Sequence, residues 1–381
     1  MPPASTDRPL FDRWPALRGR VPFVPLGDLP TAVEPLADVA RASGLARDDL
    51  WVKRDDRTSP VYGGNKVRTL EVLFGDAKAR GATHVYSTGA FGSNHATATV
   101  LHAPRGGLRP GVVLFPQPES ATALENLRVI VGEKPEIRAL WTIAGLPFGM
   151  WAARRAHARR GERAYVMVPG GATPLGALGY VSAAFELAGQ IERGEMPAPA
   201  RIVVGVGSTC TSAGLLLGFH HAARARAGFR AGPPLLESVR VTPWPVTATF
   251  RIVGLAVRAS RLLASLAGDS SLAVTASALR PHLHVDGRLL GRGYGRPTDA
   301  GLEAITLFRS HEGLELDTTY SAKAAAGLLE YARRGDAGPI LFWSTKSTTP
   351  LPRFTDADLA HAPGVMRRWM ERAATFSRAA R

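Results

Sequence analysis

Apolar positions along the chain fall into two alternating registers. Short apolar or period-two runs of about four to eight residues read as strands, and longer stretches with a period near 3.6 read as helices. Trp51 to Asp56 alternates like a strand and Gly64 to Arg80 like a helix. Thr83 to Thr88 is a second β-like run, followed by a helix that starts near Ser93 and stops by Pro104. Strand Arg109–Phe115, helix Ala121–Val131, strand Glu136–Thr142 and helix Gly149–Arg160 complete this first series. A second series runs through strand Ala164–Val168, helix Pro174–Arg193, strand Arg201–Val206, helix Ser212–Ala227, strand Ser238–Thr242 and helix Thr247–Leu266. Helices Gly301–Ser310 and Ala322–Arg333 and a buried strand Pro339–Trp343 close it. Ahead of both lies a Pro-rich start with one helical stretch, Asp38–Ala46. Strands alternating with helices imply parallel βαβ units. The pattern therefore predicts an α/β fold of two parallel sheets flanked by helices, with the site in the cleft between them. The expected division is a small α/β domain over residues 51–163 and a large one made of residues 1–50 and 164–381.

Composition narrows the partners. A chain of 381 residues exceeds one small core, and 45% hydrophobic with 21% charged residues is ordinary for a globular protein. One cysteine, Cys210, excludes an intrachain disulfide. No charged start precedes an apolar run, and no apolar stretch reaches about 18 residues, so a cytoplasmic protein without a membrane partner is expected. The net charge of +15 invites a nucleic-acid reading. The arginines are scattered, however, in short clusters such as Arg154-Arg155 and Arg333-Arg334, and no nucleic-acid motif accompanies them. A small-molecule substrate is the better expectation.

The chemistry begins at Ser59–Glu71, where Gly63-Gly64-Asn65-Lys66 turns a strand into a helix. The chain holds six Lys against 41 Arg. A Lys in a Gly-rich turn therefore points to what Arg cannot do, which is to lose its proton and attack a carbonyl. Its plain alternative is a surface residue at a helix start. Ser87–His95 is a strand end opening into a helix N-terminus, a ready anion site; its plain reading is a Ser or Asn cap. Gly205–Gly214 is a strand, turn and helix start that makes a phosphate cradle from backbone N–H groups. There Cys210 also reads as a small buried filler, not a nucleophile.

The segment Gly63-Gly64-Asn65-Lys66-Val67-Arg68-Thr69-Leu70-Glu71 after Lys53-Arg54-Asp55-Asp56 resembles the cofactor-lysine segment of the 1-aminocyclopropane-1-carboxylate deaminase and D-cysteine desulfhydrase family. These are pyridoxal-phosphate (PLP) enzymes of the tryptophan-synthase-β fold type. Further matches follow in order: Gly92-Ser93-Asn94-His95; Pro169-Gly170-Gly171 through Gly179-Tyr180; Gly207-Ser208-Thr209-Cys210-Thr211; Gly293-Tyr294-Gly295-Arg296-Pro297-Thr298; and Leu316-Asp317-Thr318-Thr319-Tyr320-Ser321. The resemblance implies that Lys66 forms the Schiff base with PLP and that Gly207, Ser208, Thr209, Cys210 and Thr211 hold its phosphate. It implies that Asn94 touches the ring hydroxyl and that Ser93, Asn94 and His95 hold the substrate carboxylate, with Ser93 aiding proton transfer. Tyr294 and Tyr320 are expected to face cofactor and substrate, with Ser321 at the pyridine nitrogen and Thr345 beside the cofactor. Homodimerisation is implied as well.

The chain departs from the family at Thr209 and Cys210, and again at Lys346 and Ser347, where the family carries glycines. A β-branched Thr209 would be strained if the cradle needed positive φ there. Ser321 stands where cyclopropane-opening members carry Glu. A hydroxyl at an unprotonated ring nitrogen fits β-elimination on a small amino acid, with D-cysteine desulfhydrase as the pattern. Two rivals remain open: β-replacement by a second nucleophile, and a non-catalytic relative with weakened cofactor binding.

Overall fold

The computed structural model describes residues 8–45, 50–335 and 338–379. Among the described residues ten strands form two sheets: β1 (Val33–Pro35), β2 (Leu50–Lys53), β3 (His84–Ala90), β4 (Arg109–Phe115), β5 (Glu136–Ala139), β6 (Ala164–Val166), β7 (Arg201–Val206), β8 (Leu235–Arg240), β9 (Leu283–Asp286) and β10 (Ile340–Trp343). The four-stranded sheet has the order β5-β4-β3-β6 and is parallel throughout. The six-stranded sheet has the order β1-β2-β10-β7-β8-β9, parallel except where β1 runs against β2. Helices α1 (Pro9–Arg13), α2 (Ala37–Ala42), α3 (Lys66–Ala79), α4 (Asn94–His102), α5 (Ala121–Gly132), α6 (Leu146–Ala158), α7 (Pro174–Glu192), α8 (Cys210–Arg224), α9 (Thr249–Ala267), α10 (Ala276–Leu279), α11 (Asp299–Glu312), α12 (Ser321–Arg333) and α13 (Gly364–Ala379) cover the faces. None of the described helices is long and apolar enough to cross a membrane.

Each sheet is buried on both faces, which is why β7 and β10 read as unbroken apolar runs. Leu215, Leu217 and Phe219 of α8 pack with Ile202 and Val204 on one face of the six-stranded sheet. Ala325, Leu328 and Leu329 of α12 pack with Val203 and Phe342 on the other. Helix α3 crosses α7 at Gly179, where a side chain would run into the backbone at Arg68.

The strands divide otherwise than at residues 51 and 163. β2 at the first boundary pairs with β10 in the six-stranded sheet, and β6 beyond the second pairs with β3 in the four-stranded one. Helix α13, expected within the large unit, packs on the four-stranded sheet instead. Its Met366, Trp369, Met370 and Ala373 recur at i, i+3, i+4 and i+7, and they are buried with Phe91, Val112 and Leu127. Trp369 Nε1 donates to Gln117 O at 2.7 Å.

Other elements shift locally. β8 starts at Leu235 and ends at Arg240, ahead of the expected Ser238–Thr242. Leu235, Leu236 and Glu237 have modest strand preference, but β7 and β9 pair with them from both sides and override it. α8 starts at Cys210 and α6 at Leu146, each ahead of expectation, and β5 ends at Ala139. The helix expected over Asp38–Ala46 runs as Ala37–Ala42, and Ala46 lies outside the described residues.

Candidate active site

In an open parallel sheet, a crevice opens at the carboxyl ends where neighbouring connections leave to opposite sides. In the four-stranded sheet β3 and β6 flank that point, so the loops at 91–93 and 167–173 line it. In the six-stranded sheet β10 and β7 flank it, with the loops at 344–349 and 207–209. These loops meet at the start of α3. Lys66 Nζ lies 3.4 Å from Ser208 Oγ. The Asn65 amide donates to Thr345 O at 3.0 Å, and Asn65 Nδ2 donates to Thr211 Oγ1 at 3.0 Å. A β-carbon on Gly170 would stand 2.5 Å from Ser208 Oγ and 3.8 Å from Lys66 Nζ.

Lys66 is the first residue of α3, held from behind by a buried ionic network. Arg68, two residues further along and hence on the opposite side of the helix, bridges the carboxylates of Asp55 and Glu186. Asp55 also accepts from Tyr180 Oη at 2.9 Å, Trp343 Nε1 at 2.8 Å and Thr31 Oγ1 at 2.8 Å. Glu186 accepts from Lys53 Nζ at 2.6 Å. The network ties β2, α3, α7 and β10 together, so the backbone that presents Lys66 cannot drift. Burial pushes the Lys66 amine below the usual lysine value, against a small opposing pull from Cys210. That favours the unprotonated, nucleophilic form.

The cradle forms at the end of β7. A β-carbon on Gly207 would meet Tyr320 Cε1 at 2.5 Å and its hydroxyl at 2.8 Å, so only glycine fits beneath that ring. Thr209 has φ −75° and ψ −10°, an ordinary helical conformation, and Cys210 opens α8. The feared strain at Thr209 is absent, because this turn needs no positive φ there. Strain at Thr209 therefore gives no support to the reading of a relative with a weakened cradle. Cys210 is buried; its thiol donates to Gly171 O at 3.3 Å, and burial pushes its pKa up. Its side chain is a packing element, and only its backbone belongs to the cradle.

The loop after β3 ends in Ser93, whose hydroxyl oxygen accepts the Ala96 N–H at 3.3 Å and caps α4. The N–H groups of Asn94 and His95 precede the first intrahelical bond and point along the positive end of the helix. Asn94 Oδ1 accepts from Tyr62 Oη at 3.1 Å and from Asn126 Nδ2 at 2.7 Å, which fixes the side chain. His95 is buried with neither ring nitrogen partnered. Burial, with help from Lys66, lowers its pKa to about 3, so the ring is neutral.

Across the cleft the hydroxyls of Tyr294 and Tyr320 lie 3.0 Å apart, and burial raises both pKa values. Lys323 Nζ donates to Leu290 O at 2.8 Å and Gly293 O at 3.2 Å, fixing the loop that carries Tyr294. Ser321 opens α12, and its hydroxyl donates to Asp317 Oδ1 at 2.7 Å and accepts the Asp317 amide at 2.7 Å.

Two residues of the cleft, Tyr62 and Asn126, carry no role from the sequence alone, and Lys346 reads there only as a missing glycine. Tyr62 and Asn126 hold Asn94, and Lys346 Nζ lies 3.3 Å from the Tyr62 hydroxyl. The scarcity of lysine that singled out Lys66 applies equally to Lys346.

Comparison with known proteins agrees with this geometry. The family model described as "Pyridoxal-phosphate dependent enzyme" matches residues 24–345. The chain is 36% identical over 335 residues to nocardicin C-9' epimerase of Nocardia uniformis subsp. tsuyamanensis, covering 87% of this chain and 94% of that protein. It is 34% identical over 336 residues to D-cysteine desulfhydrase of Salmonella paratyphi C, covering 86% and 94%. A solved structure of an ACC deaminase homologue superposes with a TM-score of 0.72 at 30% identity, covering 93% of this chain and 99% of that one. The residues present fit such a cofactor. Lys66 offers a desolvated amine, Gly207 keeps the floor of the cradle open, and Ser208, Thr209 and Thr211 bring hydroxyls and helix-start amides for a phosphate.

Proposed function

The chain belongs to the pyridoxal-phosphate-dependent enzymes of the tryptophan-synthase-β fold type, of the lyase and deaminase kind, and from that premise we propose that it eliminates a β-substituent from a small amino acid. D-Cysteine, the substrate in the printed name of one relative, is the model case. The cofactor supplies an electron sink at the substrate's α-carbon. Lys66 would hold it, and Nζ of Lys66 is the base that would take the substrate's α-proton. The amides of Asn94 and His95 orient the carboxylate, and the hydroxyl of Ser93 stands beside them. Tyr294 and Tyr320 keep their protons, and one of them would hand its proton to the leaving group. Water closes the balance, giving a keto acid, ammonia and the released substituent.

The observation that carries this reading is the desolvated amine of Lys66 where the loops of both sheets converge. Visible absorbance of the protein with added PLP tests it. A band in wild type that is lost in Lys66→Ala is expected, followed by keto-acid release from members of a D- and L-amino-acid panel. No band with excess PLP would refute it. We also infer that the enzyme works in the cytoplasm as a homodimer. Exposed Trp244, Val246 and Phe250 support a second copy, and light scattering would give the mass.

A further inference from the structure

Lys346 stands in the cleft with no carboxylate in ion-pair contact among the described residues; Asp317 and Glu125 act on it only from farther away. Its segment is locked onto the loop before Lys66 from both sides. Thr345 O accepts the Asn65 amide, Ser347 Oγ accepts the Gly63 amide at 2.9 Å, and Thr349 Oγ1 donates to Ser59 O at 3.1 Å. Gly64, at φ +90°, permits this approach, since a β-carbon there would meet Thr345 O at 2.7 Å. Lys346 is thus carried on a fixed backbone and is no loose surface side chain.

Its half-buried ammonium approaches the Tyr62 hydroxyl at 3.3 Å, and that hydroxyl donates to Asn94 Oδ1. Among the described residues, no carboxylate forms an ion pair with Lys346. Burial works against its charge, but Tyr62, Asp317 and Glu125 outweigh that and raise its pKa, so it is an ammonium at neutral pH. Of the two fully buried lysines outside the catalytic position, Lys53 has Glu186 at 2.6 Å and Lys323 donates to two carbonyl oxygens, whereas Lys346 has only the Tyr62 hydroxyl. A desolvated cation whose nearest polar partner is a neutral phenol is poised for an anion. The amides that start α4 already serve the α-carboxylate in the reading above.

We propose that Lys346, with the Tyr62 hydroxyl, anchors a second negative group on the substrate, so that the preferred substrates are amino acids with a carboxylate, sulfonate or phosphate on the side chain. This rests on the proposed amino-acid elimination but adds a subsite to it. Probes without an amino group separate binding from turnover. Succinate and butyrate share one carboxylate, and only succinate carries a second. Isothermal titration of the PLP-loaded protein should show succinate binding at least tenfold more tightly than butyrate. In Lys346→Met the two affinities should converge, and Lys346→Arg should keep most of the preference. The visible cofactor band and far-ultraviolet circular dichroism of each variant check that it is folded and loaded.

Equal affinities in wild type overturn the proposal, as does a preference that survives in Lys346→Met. An equal loss for both probes in Lys346→Met also overturns it, because Lys346 would then serve the shared carboxylate. Absence of the cofactor band in wild type would instead sink the enzymatic reading, which keeps the two failures apart.

Discussion

Replacing Arg68 by Met tests the claim that the network behind Lys66 holds the site. Arg68 Nε and Nη2 donate to Asp55 at 2.9 and 2.7 Å, and Nη1 and Nη2 donate to Glu186 at 2.9 and 2.9 Å. Bonds to charged groups are worth about 1.5–3 kcal/mol each, so a simple sum would reach about 6–12 kcal/mol. That equals the whole stability of many domains and overshoots. Asp55 keeps donors from Tyr180, Trp343 and Thr31, and Glu186 keeps Lys53. The expected loss is that of one broken buried pair, about 3–5 kcal/mol. At about 1.4 kcal/mol per decade this lowers the folding constant by roughly two to three and a half orders of magnitude. Urea unfolding of PLP-free protein is the assay, because a ligand bound only to the native state would add its own stabilisation. Glu186→Gln and the double variant complete a cycle, and the double loss should fall short of the sum by more than about 1 kcal/mol. The pH dependence has a definite sign. Burial pushes the Glu186 carboxyl up, but Arg68 and Lys53 pull it further down, so its net shift is downward. The native form then binds fewer protons than the unfolded chain. Its contribution is full above about pH 4.5 and fades as pH falls. Arg68→Met should flatten that acid limb. A loss below about 1 kcal/mol, the value of a surface pair, would refute the argument.

Acid should also act through two buried histidines. His221 is lowered to about 4 and His95 to about 3 from 6.5, so stability is full above about pH 6.5 and declines below it. His221→Gln should remove part of that slope in melts across pH. Gly207→Ala forces a methyl against the Tyr320 ring; it should weaken PLP binding at least tenfold by absorbance titration and cost about 1–3 kcal/mol by overpacking. Thr209→Gly, the family's residue, should bring no gain and lower the urea midpoint slightly, because Thr209 already sits in a helical conformation. Trp369→Ala empties a fully buried site and should cost about 3–5 kcal/mol in urea unfolding.

The alternation of strands and helices was legible because both faces of each sheet are covered, so apolar runs and helical stripes stand out. That Lys66, Ser93, Asn94 and the turn at residues 207–211 stand where helices begin was legible, because such turns leave glycines and capping residues behind. Which sheet a strand joins was not legible. β2 and β10 are 290 positions apart at Leu50 and Ile340, yet they pair residue by residue, and nothing local marks that choice. β1 is three residues long and ends in Pro35, a residue tolerated at a sheet edge but a poor strand signal. Lys346 shows the same limit in the site. As a letter in the chain it was a missing glycine; only the lock of Thr345 and Ser347 onto Gly63 and Asn65 turns it into a charge beside Asn94.

Helix α13 has a consequence for the order in which a nascent chain becomes an enzyme. Trp369 donates to the carbonyl of Gln117, and the side-chain oxygen of Gln117 accepts the Gly92 amide at 3.2 Å, one residue from Ser93. Residues 252 positions apart thus brace one loop of the cleft. At a synthesis rate of about 5–20 residues per second, Trp369 is added about 13–50 seconds after Gln117. Both sheets and Lys66 are already made by then, while the loop at Gly92 still lacks its brace. A ribosome-tethered chain stalled before residue 364 would therefore carry Lys66 beside a Gly92 loop without its brace, and the cleft would be complete only once α13 is made.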